Sequence, residues 1–377
     1  SVNPANLNIN ILALNGSGIF SLGQANGIKD TPTNKKTLTL RGENFANTRA
    51  SDASLNINGN TLQLTTTAEN GVMQWNGGAS GVWNATDGNW TGLYTAGVGG
   101  VDLEGQTKFL HGDAVLFSDP AGGQIAIQAA GVQVAERPDN NTSGTNSGLT
   151  IAMGHWTFTG GALDGGGILF SGDGGIAFDS RVLTQRITVE PSMTASIGAI
   201  AGHTLTFSGM GGSAMYGGAI CGKPGTVVSL NGNLIFNGNR AQSEGGAIYS
   251  DTVTLGGTSS FTANSAGSYG GAIYGNNITF NDGTSSFTGN SAGKGGAIYS
   301  NNTVTLGGES SFIANSTEYE GGAIYALSDA TLTAVGGNIA FTGNAAGGEG
   351  GAVYADENAT LTAAGGDIAF SGNTDAT

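Results

Sequence analysis

Apolar and polar residues alternate along this chain in short runs, as in TVTL (Thr252–Leu255), SFTA (Ser260–Ala263) and TLQL (Thr61–Leu64). A period of two sends successive side chains to opposite faces, so each run reads as a strand with one buried face. Gly, Asn, Ser and Asp separate the runs, as tight turns require. The rhythm begins in ANLNINI (Ala5–Ile11), TLTL (Thr37–Leu40) and ASLNING (Ala53–Gly59). It continues in LTIAMGHWTFTG (Leu149–Gly160), GILFSGDGGIAF (Gly167–Phe178) and HTLTFSGM (His203–Met210). No window carries the 3.6-residue apolar period of an amphipathic helix, and no apolar run approaches the ~20 residues of a helical membrane span. The pattern predicts an all-β chain.

In the second half the alternation becomes a repeat. F-x-x-N occurs at Phe236–Asn239, Phe261–Asn264, Phe287–Asn290, Phe312–Asn315, Phe341–Asn344 and Phe370–Asn373. Gly-Gly-Ala followed by Ile or Val starts at Gly217, Gly245, Gly270, Gly295, Gly321 and Gly350. Self-similarity at this length marks a solenoid or an array. Each unit holds three strand-like pieces, such as Gly246–Ser250, Thr252–Leu255 and Ser260–Ala263. Three strands in about 25 residues make one coil of a right-handed parallel β-helix, whereas a propeller blade needs ~40 residues and four antiparallel strands. At one coil per inter-strand spacing of ~4.8 Å, about 15 coils at most give a rod of roughly 70 Å or less.

In a parallel stack every side chain lies over its counterpart in the next coil. The six Phe are therefore expected to form an interior aromatic column, and the six Asn a ladder at a turn, where amides satisfy backbone groups the bend leaves unpaired. Ile220, Ile248, Ile273, Ile298, Ile324 and Val353 are expected in the core, which puts Tyr249, Tyr274, Tyr299, Tyr325 and Tyr354 on the outer face as the candidate binding surface. Cys221 takes the Tyr position in the first regular coil and reads as a small residue there. The boundaries expected are 1–70 for irregular coils or an N-terminal cap, 71–148 for Trp-rich coils with a protruding loop at Asp139–Gly148, 149–210 for irregular coils and 211–377 for the regular repeat.

Composition sharpens the reading. Gly supplies 69 of 377 residues, roughly 18% against a usual ~7%. Disorder would fit that excess only without apolar order, and 38% of the chain is hydrophobic. The net charge of −15 argues against nucleic acid and anionic lipid as partners, since both need clustered Lys and Arg. The single cysteine leaves no intrachain disulfide framework. Ser1 reads as a mature or engineered start, and the close on FSGNTDAT, partway through a repeat, reads as a segment of something longer.

The alternation of GGA[ILV] with F-x-x-N from Gly217 to Asn373 resembles the polymorphic membrane proteins of chlamydiae and related autotransporter passengers. That resemblance implies a β-helix exported through a C-terminal translocator barrel outside this segment and displayed on the bacterial outer surface as an adhesin, with a host-cell or matrix receptor or glycan as partner. WNGGASGVWNATDGNW (Trp75–Trp90), followed by GDAVLF (Gly112–Phe117), resembles a Trp-rich segment of large autotransporter passengers; its rings read as covering a coil, with a sugar platform as the alternative.

Parallel β-helices also carry polysaccharide lyases and hydrolases, whose sites need converging carboxylates, often with Ca²⁺ and a basic residue. Here the acids fall mostly in turns. Asp356 and Glu357 are adjacent and so point to opposite strand faces, and Glu318 and Glu320 lie where a loop is expected. His111, His155 and His203 are isolated. The G-x-S-x-G match around Ser291 is the repeat's own GNSAG, with no helix to make a nucleophile elbow. LDGGGILFSGDGGIAFD (Leu163–Asp179) resembles Gly-Asp calcium repeats but breaks their register. The reading is an adhesin without enzymatic activity, metal or cofactor; a glycan-cleaving enzyme and a purely structural stalk are the alternatives.

Overall fold

The computed structural model describes residues 18–24, 50–58, 61–68, 72–78, 80–84, 86–93, 106–109, 113–134, 148–335 and 337–376. Every regular element among them is a strand. ANLNINI, TLTL, His111, Gly112 and all but the last residue of the Asp139–Gly148 segment lie outside the described residues. The chain divides into two compact units, one of residues 1–116, 127–149 and 161–166, the other of 117–126, 150–160 and 167–377.

In the first unit Ala50–Asn58 and Gly18–Gln24 flank Thr61–Ala68, both antiparallel to it. Alternation identifies such segments as strands but carries no information on their direction, and here the pairing is not that of a parallel stack. Val72–Trp75 runs antiparallel to Trp90–Leu93, with Trp75 opposite Trp90, and parallel to 114–116. Trp75, Trp83, Trp90 and Phe109 form one buried cluster with centroids 5.0 to 5.6 Å apart. The Trp75 indole lies over the WNGGASG turn and donates from Nε1 to the Gly78 carbonyl at 3.0 Å. A Cβ on Gly77 would stand 2.4 Å from that ring, so the glycines are what let the indole close down. The Trp rings are core, not an exposed platform.

In the second unit strands pair in parallel with their counterparts one coil on. One column of facing residues runs Ile168, Ile187, Ile220, Ile248, Ile273, Ile298, Ile324, Val353. The stack thus continues upstream of the strict motif, where the coil length still varies. From Ile248 on, each coil has an Ile-Tyr or Val-Tyr pair in strand, then a Thr-containing stretch and a stretch carrying the Phe, as at Ile248–Tyr249 and Thr252–Thr262. A two-residue ladder that alternation is too short to show closes the coil after the Asn, at Arg240–Ala241, Ser265–Ala266, Ser291–Ala292, Ser316–Thr317 and Ala345–Ala346. Inward positions are filled by Ile, Leu, Val and Phe, most with no accessible surface. An outward column starts at Ser229 and continues as Thr254, Thr279, Thr305, Thr331 and Thr360, whose β-branched side chains favour the extended backbone.

The Gly pair does two jobs. Gly270 has φ +63°, and a Cβ there would meet the Ile273 carbonyl oxygen at 2.2 Å. Gly271 would meet the carbonyl oxygen of Gly296, in the next coil, at 2.1 Å. The first glycine makes the corner, and the second lets successive coils approach to sheet spacing.

Candidate functional site

Two ladders meet around the Gly-Gly corner, one internal and one external. Internally, the Phe column begins at Phe207, one coil before F-x-x-N is readable, and runs to Phe370. Successive rings lie 4.7 to 4.9 Å apart and within 10° of parallel. Such face-to-face stacking is not the arrangement isolated rings prefer; the parallel register imposes it and burial sustains it.

The Asn side chains follow one rule in every coil. Asn264 Nδ2 donates to the Phe236 carbonyl in the preceding coil and to Oδ1 of Asn290 in the next, both at 3.0 Å. Its backbone N–H donates to that same Oδ1 at 2.9 Å. Asn239, Asn290, Asn315 and Asn344 repeat the pattern, and Asn373 keeps the bond to the preceding Phe carbonyl. Only a side chain with one acceptor oxygen and two donor hydrogens can do this. Asn239 to Asn344 have no accessible surface, so each missing bond would leave a buried orphan. The residue before the Asn is in the left-handed region throughout: Gly238, Gly289, Gly343 and Gly372 at φ +63° to +64°, Ala263 at +54° and Ala314 at +52°.

Externally, Tyr249, Tyr274, Tyr299, Tyr325 and Tyr354 stand one above another outside the Ile column, centroids 4.8 to 5.4 Å apart and within 20° of parallel. They are less open than alternation suggests. Tyr299 and Tyr325 are buried, at 7% and 5% exposure, and the other three are half-buried. The cover is a second column from the residue before each Gly pair: Tyr216, Glu244, Tyr269, Lys294, Glu320 and Glu349. Its first four members bridge in parallel. The Tyr269 ring sits 4.6 Å from Tyr299, and Lys294 Nζ lies 5.0 Å over the Tyr325 ring and 3.0 Å from the Glu320 carboxylate. This loop column carries no alternation, which is why its covering role was not legible.

With ring faces occupied by ring faces, the ridge offers edges and hydroxyls. Tyr274 Oη accepts from Asn301 Nδ2 at 2.6 Å, and that amide also donates to Asn276 Oδ1 at 2.8 Å. Tyr354 Oη donates to Asp356 Oδ1 at 3.2 Å. Burial, with Glu244 and Tyr274 adding to it, pushes the Tyr249 phenol up to about 12. Burial also raises Tyr274, Tyr299 and Tyr325, while in Tyr354 the bond to Asp356 leads. Glu244 is raised by burial too.

Cys221 heads the ridge, paired with Thr188 on one side and Tyr249 on the other. Burial pushes its thiol up against the opposing pull of Arg186 and Lys223; Arg186, from the preceding coil, is a neighbour the sequence does not show. The remaining candidates are engaged locally. His155 is exposed, and His203 Nδ1 faces Ser180 at 3.1 to 3.2 Å. Ser291 pairs with Ser265 and Ser316 in the closing ladder. Asp173 and Asp179 accept the backbone N–H groups of Thr194 and Gly160, each at 2.7 Å. Among the described residues no three His, Cys, Asp or Glu side chains are grouped to hold a metal ion.

Comparison with known proteins adds one relationship. Residues 233–251, 258–276, 284–301 and 338–356 match the Chlamydia polymorphic membrane protein repeat. The unit around Phe312 and Gly321, between the third and fourth segments, has the same ladders. No curated protein and no solved structure matches the chain. The four matched segments fall on one regular stack, and each of them is a repeat of the Chlamydia polymorphic membrane protein type.

Proposed function

We propose that this chain is the passenger part of an autotransporter-like surface protein and acts as an adhesin, the repeats serving as a rigid stack that carries a recognition ridge. The repeat type is that of outer-membrane, surface-associated proteins. The observation that carries the reading is the ridge: a continuous file of tyrosine hydroxyls flanked by Asn276, Asn301, Lys294, Glu320 and Asp356, presented at one-coil intervals. Phenol edges with adjacent amides and charges suit polar contact with a protein or glycan. The ridge presents few open ring faces, so sugar stacking across it is not the expected mode.

The test is binding of the purified protein to host cells, matrix proteins and a glycan panel, with Tyr216→Ala and Tyr354→Ala on the ridge and exposed Tyr319→Ala off it as the control. Binding reduced by the ridge variants is expected. Absence of binding to all three classes overturns adhesion. A structural stalk is favoured by one fact, that the rings already satisfy one another; it predicts that removing one whole coil leaves attachment unchanged.

A further inference from the structure

Seven of the nine tyrosines belong to one connected network: Tyr216, Tyr249, Tyr269, Tyr274, Tyr299, Tyr325 and Tyr354. Stacking stiffens such a ridge, but the Phe column inside the coil achieves that without hydroxyls. What a phenol adds is a ring that can lose one electron and one proton together.

We propose that the tyrosine ridge is a site of oxidative covalent modification, in which one-electron oxidation joins the rings of neighbouring coils through ortho carbons and staples the coils to each other. Three observations carry this. Ring centroids are 4.8 Å apart for Tyr299–Tyr325 and 5.0 Å for Tyr325–Tyr354, with interplanar angles of 2° and 20°, so neighbouring phenols are held in stacking contact. The parallel backbone register holds these pairs together independently of the rings. An entry point is built in: half-buried Tyr354 donates its phenolic hydrogen to Asp356, and that carboxylate takes the proton as the electron leaves. From there the electron hole passes to Tyr325 and inward along the file, every step a ring contact.

The step balances. Two phenols each give one electron to the oxidant and one proton to a base, which is Asp356 for Tyr354 and solvent for its partner. The two phenoxyl radicals form one carbon–carbon bond, and the hydrogen on each coupling carbon then moves to oxygen to restore the phenols. The pair has lost two hydrogens. The oxidant is of the peroxidase class, in which one hydrogen peroxide accepts the two electrons and two protons and becomes two waters.

The proposal does not depend on adhesion. The folded protein, diluted until encounters between chains are rare, is treated with a peroxidase and hydrogen peroxide. Cross-linked peptides are mapped by mass spectrometry and dityrosine is followed by fluorescence. Cys221→Ser is the background, which removes thiol chemistry as a cause. The expected result is intrachain pairs two hydrogens lighter than their sum, joining ladder neighbours and led by Tyr325–Tyr354. Asp356→Asn is expected to slow formation of that pair several-fold, and Tyr325→Phe to abolish it. The proposal is overturned if coupling goes mainly through exposed Tyr319, if the same pairs form equally in guanidinium-unfolded chains, or if free tyrosine couples in the same mixture while the ridge does not.

Discussion

Asn290 shows how much one residue carries. Its Oδ1 accepts the backbone N–H and the side-chain amide of Asn264, and its Nδ2 serves the Phe261 carbonyl and Asn315. Asn290→Ala therefore strands two buried donors of Asn264 and one carbonyl, at a cost of about 3 kcal/mol or more, to be read as a lowered midpoint in chemical denaturation. Asn290→Asp fares no better, because a carboxylate cannot donate to the Phe261 carbonyl and its charge would be buried. The neighbouring position predicts the opposite sign. Ala263 and Ala314 hold left-handed backbone where the other coils have Gly, and a Cβ at the equivalent Gly289 has nothing within 4 Å. The strain is then conformational rather than steric, and Ala263→Gly and Ala314→Gly should each stabilise by about 0.5–1 kcal/mol. Loss of stability in either variant would show that the corner is not strained.

At the scale of the element, the ladders make each coil's fate depend on its neighbours. Phe287 stacks on Phe261 and Phe312 at 4.7 and 4.8 Å with no accessible surface. Phe287→Ala is expected to cost about 3–5 kcal/mol, since the coils above and below cannot collapse into the gap without breaking register. The Tyr ridge predicts a pH dependence. A phenol held neutral up to about 12 in the folded state, as at Tyr249, ionises near 10 when the chain unfolds. Between those values the unfolded state binds fewer protons than the folded one, so stability falls as pH rises. That contribution is intact below pH 10 and is lost as pH climbs toward about 12. Denaturation midpoints at pH 8, 10 and 11.5 should decline across the series for the wild type and less steeply for Tyr249→Phe. Equal slopes in the two proteins would count against a buried ridge.

For the regular stack as a whole, equivalence between coils is the governing property. Phe261 pairs with Phe287, and Thr258–Thr262 lie in register with Thr284–Thr288. Excising residues 261–286 joins Ser260 to Phe287 and preserves every column, so the shortened chain should fold with the same β-sheet circular dichroism and a modestly lower melting temperature. Excising half as many residues throws inward side chains outward and should prevent folding. Stability in such an array is a sum of coil and interface contributions, which is why a whole coil can be removed and a fraction cannot. A half-coil deletion that folds as well as the whole-coil one would refute the stack as the unit of stability.

The recurrence of Phe, Asn, Gly-Gly and Ile at fixed offsets determined the coil, its length and its vertical alignment, because parallel stacking is what makes identity from layer to layer useful. The alternation around Ile and Tyr likewise separated Ile248 from Tyr249. Other features needed the folded chain. Phe207 joins the aromatic column without an Asn after it, and Arg186 approaches Cys221 from another coil. The strands before Ala68 turned out antiparallel, because alternation has no direction. The cover over Tyr299 and Tyr325 comes from the loop position before each Gly pair, which recurs in every coil but does not keep its identity. Periodicity shows that a position recurs, not what its side chain covers; the residue before each Gly pair changes from Tyr269 to Lys294 to Glu320, and only tertiary structure places those side chains against the ridge.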